Sequence, residues 1–282
     1  MTGSADMARR VLVLGGPAAG KTTFLIQLYG RVSAGTGKLR ARGAPASLAS
    51  IEEGFRRLQQ GVAVAHTPHG TDTSLSLAAV DFDGRSIDIT VPDYAGEDLR
   101  RLVDERRLHD RWRREAESDQ WLLLIRLTRH PDLPDVLARP IGELARTSLA
   151  PEDGNGDPHA LPIDMWAVEL LQALLYTRRL DTDQPRPLPR LTLVLSCWDE
   201  LSAPPGTLPT DVARKRLALL HSYCHATWSD LFDVIGLSAQ GQPLDENEPA
   251  TDYLDAGPQH MGWIINAAGE RDGDLTLLIG SR

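Results

Sequence analysis

Short apolar runs alternate with amphipathic and polar segments along the chain. The first run, VLVL at 11–14, leads into a glycine-rich turn and then into FLIQLYGRV, a pattern typical of a strand, a turn and a helix. Two runs in which apolar and polar residues alternate, at 74–82 and 86–91, flank Asp83 and Gly84. An Asp-Gly pair between such runs is a strong signal for a β-hairpin, so this region predicts an antiparallel pair of strands.

Continuous apolar runs of strand length recur further along the chain. They lie at 120–127, 190–196 and 231–239, as is typical of strands that are buried on both faces. Helical patterns at 163–180 and 208–228 precede the last two runs. This alternation predicts an α/β fold with an open, mostly parallel sheet and helices on both faces. Such sheets bind ligands beyond the carboxyl ends of their strands.

Three regions depart from this alternation. Residues 34–73 are polar apart from an amphipathic segment at 48–61, which predicts a short helix within a long loop. Residues 129–187 begin with a stretch rich in Pro, Asp, Gly and Arg, and we interpret them as an insertion. The signals weaken after 240, so 241–282 is interpreted as a C-terminal extension. We expect a single domain over 1–282 that carries these three additions.

Composition narrows the possible partners and the compartment. The chain has 30 Lys and Arg against 39 Asp and Glu, a formal net charge of −9, which argues against nucleic acid or an anionic membrane as its partner. It has two cysteines, no apolar run of the ~20 residues that a membrane span needs and no signal-peptide pattern, so we expect a cytoplasmic protein. Lysine is rare, since only Lys21, Lys38 and Lys215 occur.

The glycine-rich turn fits the phosphate-binding pattern G-x-x-x-x-G-K-[ST]. It follows a predicted strand and opens a predicted helix, which is the context that supports the motif. In such a loop the backbone N–H groups surround a phosphate, the lysine neutralises its charge and the Ser or Thr hydroxyl binds Mg²⁺. The predicted phosphate-binding residues are Gly15, Pro17, Ala18, Ala19, Gly20, Lys21, Thr22 and Thr23.

A second motif, D-x-x-G, follows the predicted hairpin. It comprises Asp93 and Gly96, with Glu97 directly after it. The aspartate of such a motif holds Mg²⁺ through water, and the glycine N–H binds the terminal phosphate. Alone this tetrapeptide is a weak signal, but it is a strong one behind a phosphate loop and a hairpin.

The order of these motifs resembles that of Ras-like P-loop GTPases of the translation-factor-related (TRAFAC) class. The resemblance implies a three-layer α/β sandwich whose mostly parallel, six-stranded sheet contains one antiparallel hairpin strand. It also implies Mg²⁺ as cofactor and GTP or GDP as ligand. In that class a threonine of the first switch, here the region 34–73, binds Mg²⁺ and senses the terminal phosphate. The spacing to the hairpin turn places this threonine at Thr71, with Thr67 and Thr73 as alternatives.

The resemblance also assigns the groups that hydrolyse GTP. Glu97 stands where the class has a glutamine that positions water, and a glutamate there either acts as a base or repels the phosphate. Hydrolysis is therefore expected to be slow or to depend on a partner. The implied catalytic residues are Lys21, Thr71, Gly96 and Glu97, and the implied Mg²⁺ ligands are Thr22, Thr71 and Asp93.

The base-specificity motif of the class, [NT]-K-x-D, is replaced here by Ser196, Cys197, Trp198 and Asp199. Asp199 keeps the carboxylate that accepts hydrogen bonds from the guanine ring N–H and exocyclic amine. Cys197 takes the place of the lysine that lies along the base, while Trp198 can stack on the base if the loop rearranges. A final motif contributes Ser238 and Ala239, whose backbone contacts the base carbonyl in the class.

Arginines form a further set of candidates. Seven of them lie in the segment 100–114, where a solvated helix face is favoured over a docking site for an acidic partner. Arg126 and Arg129, and Arg100 or Arg101, are candidates to stabilise charge during hydrolysis, although a solvated role is favoured for each.

Histidines and cysteines support no other chemistry strongly. His66 and His69, and the set His221, Cys224 and His225, have spacings seen at zinc sites, but neither set has a convincing fourth ligand, so structural roles are favoured. The nucleophile elbow G-x-S-x-G is also incomplete at 236–240, which argues against a serine hydrolase.

Three functions remain open at this point. The first is a GTP-hydrolysing switch with a protein effector or activator at its switch regions. The second is a non-hydrolysing nucleotide-dependent adaptor, which the substitutions at Cys197 and Glu97 favour, and the third is a P-loop ATPase. The long first switch and the string SCWDEL resemble bacterial double-GTPase domains of conflict and regulatory gene clusters, which suggests such a setting for this chain.

Overall fold

A computed structural model describes residues 8–43, 48–64, 74–92, 110–130, 162–179 and 186–279, to which the structural statements below refer. The strands are β1 Arg9–Gly15, β2 Leu39–Ala41, β3 Leu75–Asp81, β4 Ser86–Val91, β5 Gln120–Ile125, β6 Arg190–Ser196, β7 Phe232–Ser238, β8 Trp263–Ile265 and β9 Arg271–Asp272. The helices are α1 Lys21–Ala34, α2 Leu48–Gln59, α3 Asp110–Ala116, α4 Ile163–Arg179, α5 Pro209–Arg216, α6 Ala218–Trp228 and α7 Thr251–Ala256.

The nine described strands form one sheet in the order β2-β3-β4-β1-β5-β6-β7-β8-β9. Strands β4, β1, β5, β6 and β7 are parallel to one another, and the other four strands pair in antiparallel fashion. The predicted α/β class is thus confirmed, but the predicted six-stranded sheet with one antiparallel strand is wrong. Strands β2, β8 and β9 have only two or three residues, too few to show a periodic pattern in the sequence.

Helices and irregular segments cover both faces of the sheet. In β1, Val11 and Val13 pack on one face while Leu12 and Leu14 pack on the other, so alternate residues enter two separate cores. This explains why the strand is apolar without interruption. No helix within the described ranges is long and apolar enough to cross a membrane.

The first face carries α1, α2 and the C-terminal segment. Helix α2 confirms the predicted helix within the polar region and packs closely on α1. A Cβ atom at Gly30 of α1 would lie 2.3 Å from the Phe55 ring, and one at Gly54 of α2 would lie 2.2 Å from Ile26. The two glycines therefore allow the helices to approach each other closely.

The second face carries α4 and α6. Helix α4 connects the parallel strands β5 and β6 and buries Leu170, Leu171 and Leu174 against them, although it lies within the range 129–187 that the sequence suggests as an insertion. The single helix expected at 208–228 is divided into α5 and α6, because Leu217 leaves the helical conformation at φ −133° and ψ 50°.

Arg31 of α1 ties the C-terminal segment to the first face. Its side chain is only 2% exposed and donates to the carbonyls of Met261, Gly262 and Gly273. Burial lowers the pKa of Arg31 to about 10, and the nearby Asp274 opposes that shift. The helix that follows the glycine-rich loop is thus hydrogen-bonded to residues more than 200 positions later in the chain.

Candidate functional site

The glycine-rich loop occupies the turn between β1 and α1. Gly15 ends the strand, and a Cβ atom there would lie 2.5 Å from the Leu124 carbonyl oxygen of β5. Ala18 and Gly20 have positive φ values of 56° and 80°. Left-handed residues in such a turn direct successive backbone N–H groups to the same side, which is the geometry of an anion-binding concavity.

Lys21 folds over the start of this loop. Its Nζ donates to the carbonyls of Gly15 and Gly16, each at 2.9 Å. The only lysine of the turn is therefore half-buried against the loop backbone, and its positive charge is held where a phosphate on this loop would lie.

Helix α1 begins at the loop without a side-chain cap. Its N-cap is Gly20, and its first turn contains no acidic residue. The Phe24 N–H donates to the Gly20 carbonyl at 2.9 Å, and the amides before it in any helix have no intrahelical acceptor. Thr22 lies in this turn and is half-buried. The helix start is thus suited to an anion.

The base-motif candidate lies at the end of β6. Cys197 adopts the left-handed conformation, with φ 52° and ψ 45°, and a 3-10 turn, Trp198–Leu201, follows it. The Trp198 side chain packs in the core: it is 5% exposed, and a Cβ atom at Gly236 of β7 would lie 2.6 Å from its indole. The indole is therefore not placed to stack on a base in this conformation.

Glu200 attaches the same turn to the end of β5. Arg126 donates Nε to Glu200 Oε2 at 2.9 Å and Nη2 to Oε1 at 2.5 Å, and Thr128 Oγ1 donates to Oε2 at 2.6 Å. Burial alone would raise the pKa of Glu200, but the bonds from Arg126 and Thr128 outweigh it and hold this pKa below its usual value. Arg126 is thus fixed in an ion pair rather than solvated.

Cys197 directly precedes Trp198, and Asp199 lies between Trp198 and Glu200. Burial raises the pKa of the Cys197 thiol to about 12, so this group stays protonated and is not a thiolate nucleophile. Asp199 is half-buried, and no described residue donates a hydrogen bond to its carboxylate. Its oxygens are available to the donors of a ligand.

The loop after β7 contains the last motif. Ser238 is fully buried, and its Oγ accepts the Gly241 N–H at 3.0 Å, while Trp263 Nε1 donates to the Gly241 carbonyl at 3.3 Å. Gly262, directly before β8, lies so close that a Cβ atom there would be 2.3 Å from the Ala239 carbonyl oxygen. The C-terminal segment therefore supports this loop directly.

The parallel sheet brings these parts to one edge. Strands β1, β5, β6 and β7 are consecutive neighbours, so the glycine-rich loop, Arg126, the turn with Asp199 and the Ser238 loop all follow their carboxyl ends. Such an edge is where open α/β sheets bind ligands. The other predicted groups lie outside the described residues; these are Thr67, Thr71, Thr73, Asp93, Gly96, Glu97, Arg100 and Arg101.

Comparison with known proteins identifies the family. The family model "Double-GTPase 1" matches residues 12–281, nearly the whole chain. The chain belongs to the Double-GTPase 1 family. This membership confirms the resemblance to P-loop GTPases of the TRAFAC class and shows a protein of the GTP-binding kind. No curated protein matches the chain.

Solved structures similar to this Double-GTPase 1 chain are distant. The bacterial selenocysteine-specific elongation factor EF-Sec is 10% identical with a TM-score of 0.38, and the match covers 82% of this chain but only 26% of that one. The signal recognition particle receptor SRb-GTP/SRX complex from Chaetomium thermophilum is 15% identical, with a TM-score of 0.38 and coverage of 85% and 94%. The S. cerevisiae Ski7 GTPase-like domain bound to GTP is 11% identical, with a TM-score of 0.37 and coverage of 83% and 43%.

Histidines form no metal site in the described part of this Double-GTPase 1 chain. No cluster of three or more His, Cys, Asp or Glu residues there is arranged to hold an ion. His221 stacks on His225 and contacts Phe232, and burial lowers the pKa of His221. His66 and His69 lie outside the described residues.

The sequence analysis missed three residues of this edge: Glu200, Gly236 and Trp263. Glu200 directly follows Asp199, but a glutamate on a polar turn is usually solvated, and nothing in the sequence pairs it with Arg126. Gly236 lies inside a predicted strand, where an isolated glycine signals close approach of another group, so this signal was present. Trp263 belongs to a strand too short to identify.

Proposed function

We propose that this protein is a Mg²⁺-dependent switch that binds GTP, hydrolyses it to GDP and acts in a bacterial regulatory or defence system. The observation that carries the proposal is the position of the Lys21 loop and of Asp199 at one edge of the sheet, with the Asp199 carboxylate bound by no described donor. Membership in the Double-GTPase 1 family supports the choice of nucleotide.

In this proposal the phosphates bind the backbone N–H groups of the loop and of the first turn of α1. The Lys21 ammonium is already held against the loop at Gly15 and Gly16. A preplaced charge needs little rearrangement when the phosphate arrives, which favours binding and stabilises charge that develops during transfer.

The residues present also fit Mg²⁺. Thr22 is half-buried directly after Lys21 at the helix start, and with Thr71 and Asp93 it forms a set of hydroxyl and carboxylate oxygens, the ligands that this ion prefers. When bound, Mg²⁺ neutralises negative charge on the terminal phosphates.

Guanine is proposed to bind at Asp199. Its carboxylate accepts from the ring N–H and the exocyclic amine, whereas adenine presents no such pair of donors on that edge. The loop of Ser238 and Ala239 would supply backbone groups for the base carbonyl. Cys197, with its protonated thiol, contributes no charge to the base.

Hydrolysis is proposed to be slow or partner-activated. Glu97 carries a negative charge where the water-positioning glutamine of the class would stand, and Arg126 is engaged by Glu200. A non-hydrolysing adaptor is the second candidate, favoured by Glu97 and Cys197. Either function places a protein effector at the switch regions, within a single domain over 1–282.

The base assignment is tested by a swap of nucleotide preference. For nucleotide-free protein we expect GTP to bind more tightly than ATP or XTP, and Asp199→Asn to favour XTP, because xanthine carries a carbonyl in place of the exocyclic amine. Tighter binding of ATP by the wild type would contradict the assignment.

Lys21→Ala tests the phosphate-binding loop. We expect it to weaken the binding of every nucleotide by about tenfold to a hundredfold, since it removes charge-assisted bonds of ~1.5–3 kcal/mol. Lys38→Ala, at an exposed lysine, should leave the affinities unchanged.

The same preparations separate the switch from the adaptor. Single-turnover GTP hydrolysis that requires Mg²⁺, stops on chelation and disappears in Asp93→Ala is expected for the switch. Tight GTP binding with no turnover, with or without cell extract as a source of activator, would support the adaptor instead.

A further inference from the structure

We propose that Arg126, clamped by Glu200, is the base-stacking cation of the site and takes the place of the lysine that Cys197 replaces. This inference rests on the proposed function, because it concerns how the guanine that Asp199 selects is held. It assigns to Arg126 a specificity role rather than the charge-stabilising or solvated role that the sequence suggests.

The position of Arg126 follows from the register of two parallel strands. Ile125 of β5 pairs with Leu195 of β6, so the chain reaches Arg126 and Ser196 side by side at the carboxyl edge of the sheet. The base-motif turn begins directly after Ser196. Arg126 is therefore placed next to this turn by the sheet itself and does not depend on a loop conformation.

The Glu200 clamp fixes the plane of the guanidinium. The two bonds, Nε to Oε2 at 2.9 Å and Nη2 to Oε1 at 2.5 Å, are side-on and bidentate, and both side chains are 23% exposed. A bidentate pair uses the edge of the guanidinium and leaves its flat faces for stacking, which is a common way for arginine to hold a base. Nη1 donates to no residue in the described ranges.

Electrostatic interactions link this guanidinium to Cys197, which stands where the class has a lysine. Among the charged groups that act on the pKa of the Cys197 thiol, Arg126 has the largest effect, and Asp199 is one of the groups that raise the pKa of Arg126. One cation thus interacts electrostatically with both the residue that replaces the lysine and the residue proposed to select guanine. A stack on guanine at this place needs no lysine in the motif, because the positive charge comes from the neighbouring strand.

The test separates the base from the phosphates. Affinities for GDP and for inorganic tripolyphosphate are measured by calorimetry on nucleotide-free wild type and on Arg126→Ala, Arg126→Lys and Arg129→Ala. Arg129 is the matched control, since it is an exposed arginine at the last residue of the 3-10 turn Leu127–Arg129, whose N-cap is Arg126.

We expect Arg126→Ala to lower the affinity for GDP roughly fivefold to thirtyfold, the range of a partly desolvated cation–π contact. The affinity for tripolyphosphate should stay within about twofold of wild type. Arg126→Lys, which keeps the charge but lacks the flat face, should lie between, and Arg129→Ala should match wild type. Glu200→Gln, which weakens the attachment of the Asp199 turn but keeps the guanidinium, should retain more GDP affinity than Arg126→Ala; an equal loss would indicate that Arg126 acts only by holding the turn. Unchanged tripolyphosphate binding also shows that the variant is folded.

Two results would overturn the inference while leaving the proposed function intact. One is wild-type affinity of Arg126→Ala for GDP, and the other is an equal loss of GDP and tripolyphosphate, which would indicate a general electrostatic or folding effect. A wild-type protein that binds tripolyphosphate but not GDP would overturn both the inference and the proposed function.

Discussion

The Glu200 carboxylate shows how much of the site depends on a single residue. It accepts from both Arg126 and Thr128, so it joins the end of β5 to the turn that carries Asp199. The phosphate loop could be predicted from its glycines and Lys21, because backbone requirements there restrict the residue types. The role of Glu200 could not be predicted, because a residue type common on surfaces gains this role only through Arg126, 74 positions away in the chain.

The lowered pKa of Glu200 predicts a dependence of stability on pH. A carboxylate with a lower pKa in the folded chain stabilises the fold above its unfolded pKa of about 4.3, and this contribution disappears as the pH falls through the folded pKa. We expect Glu200→Gln to lower the free energy of unfolding by about 1 kcal/mol at pH 7 and by progressively less at more acidic pH, as measured by urea unfolding. Glu246→Gln, on the exposed C-terminal segment, is the control, and equal costs at pH 7 and pH 3 would contradict the assignment.

At the level of elements, the turn after β6 is held from two sides. Glu200 attaches it to β5, and Trp198 attaches it to Gly236 of β7. Long strands and helices of this framework were predictable because apolar periodicity is repeated over several residues. The short strands β2, β8 and β9 and the break at Leu217 could not be predicted, because they depend on contacts with distant segments rather than on local pattern.

Gly236→Ala tests the contact between β7 and the base-motif turn. The added Cβ would lie 2.6 Å from the Trp198 indole, so the ring must move. We expect a loss of about 1–3 kcal/mol in the free energy of unfolding and weaker GDP binding, with tripolyphosphate binding retained. Gly273→Ala, where a Cβ meets nothing within 4 Å, should be neutral or slightly stabilising. Normal stability of Gly236→Ala in chemical denaturation would refute the tight packing.

Across the whole molecule, the C-terminal segment completes the first face. Tyr253, Leu275 and Leu278 enter the core beside α1, and Gln120 Nε2 donates to the Leu278 carbonyl at 2.9 Å. The sequence identified this segment only as an extension, because its short elements lack periodicity and its contacts span most of the chain. The single-domain interpretation of 1–282 stays a prediction.

Arg31→Ala tests how the C-terminal segment is attached to helix α1. Arg31→Ala would remove the buried guanidinium and the donor that the carbonyls of Met261, Gly262 and Gly273 share, and the buried Gly262 carbonyl alone would lose its partner at a cost of ~1–3 kcal/mol. We expect a loss of about 3 kcal/mol or more in urea unfolding, together with faster proteolysis of the C-terminal segment. Arg214→Ala, whose exposed side chain pairs with Asp211, should change stability by less than about 1 kcal/mol. Similar stabilities of the two variants would rule out the proposed anchoring role.

The Arg31 anchor also has a consequence for biosynthesis. The strand, loop and helix from Arg9 to Ala34 leave the ribosome before the acceptors for Arg31, which lie at 261–273. Until those residues emerge, the Arg31 side chain lacks its three carbonyl acceptors and the apolar face of α1 is uncovered on that side. The glycine-rich loop should therefore reach its final rigidity only after residues 261–273 have emerged, so that a nascent chain interrupted before them would bind nucleotide poorly.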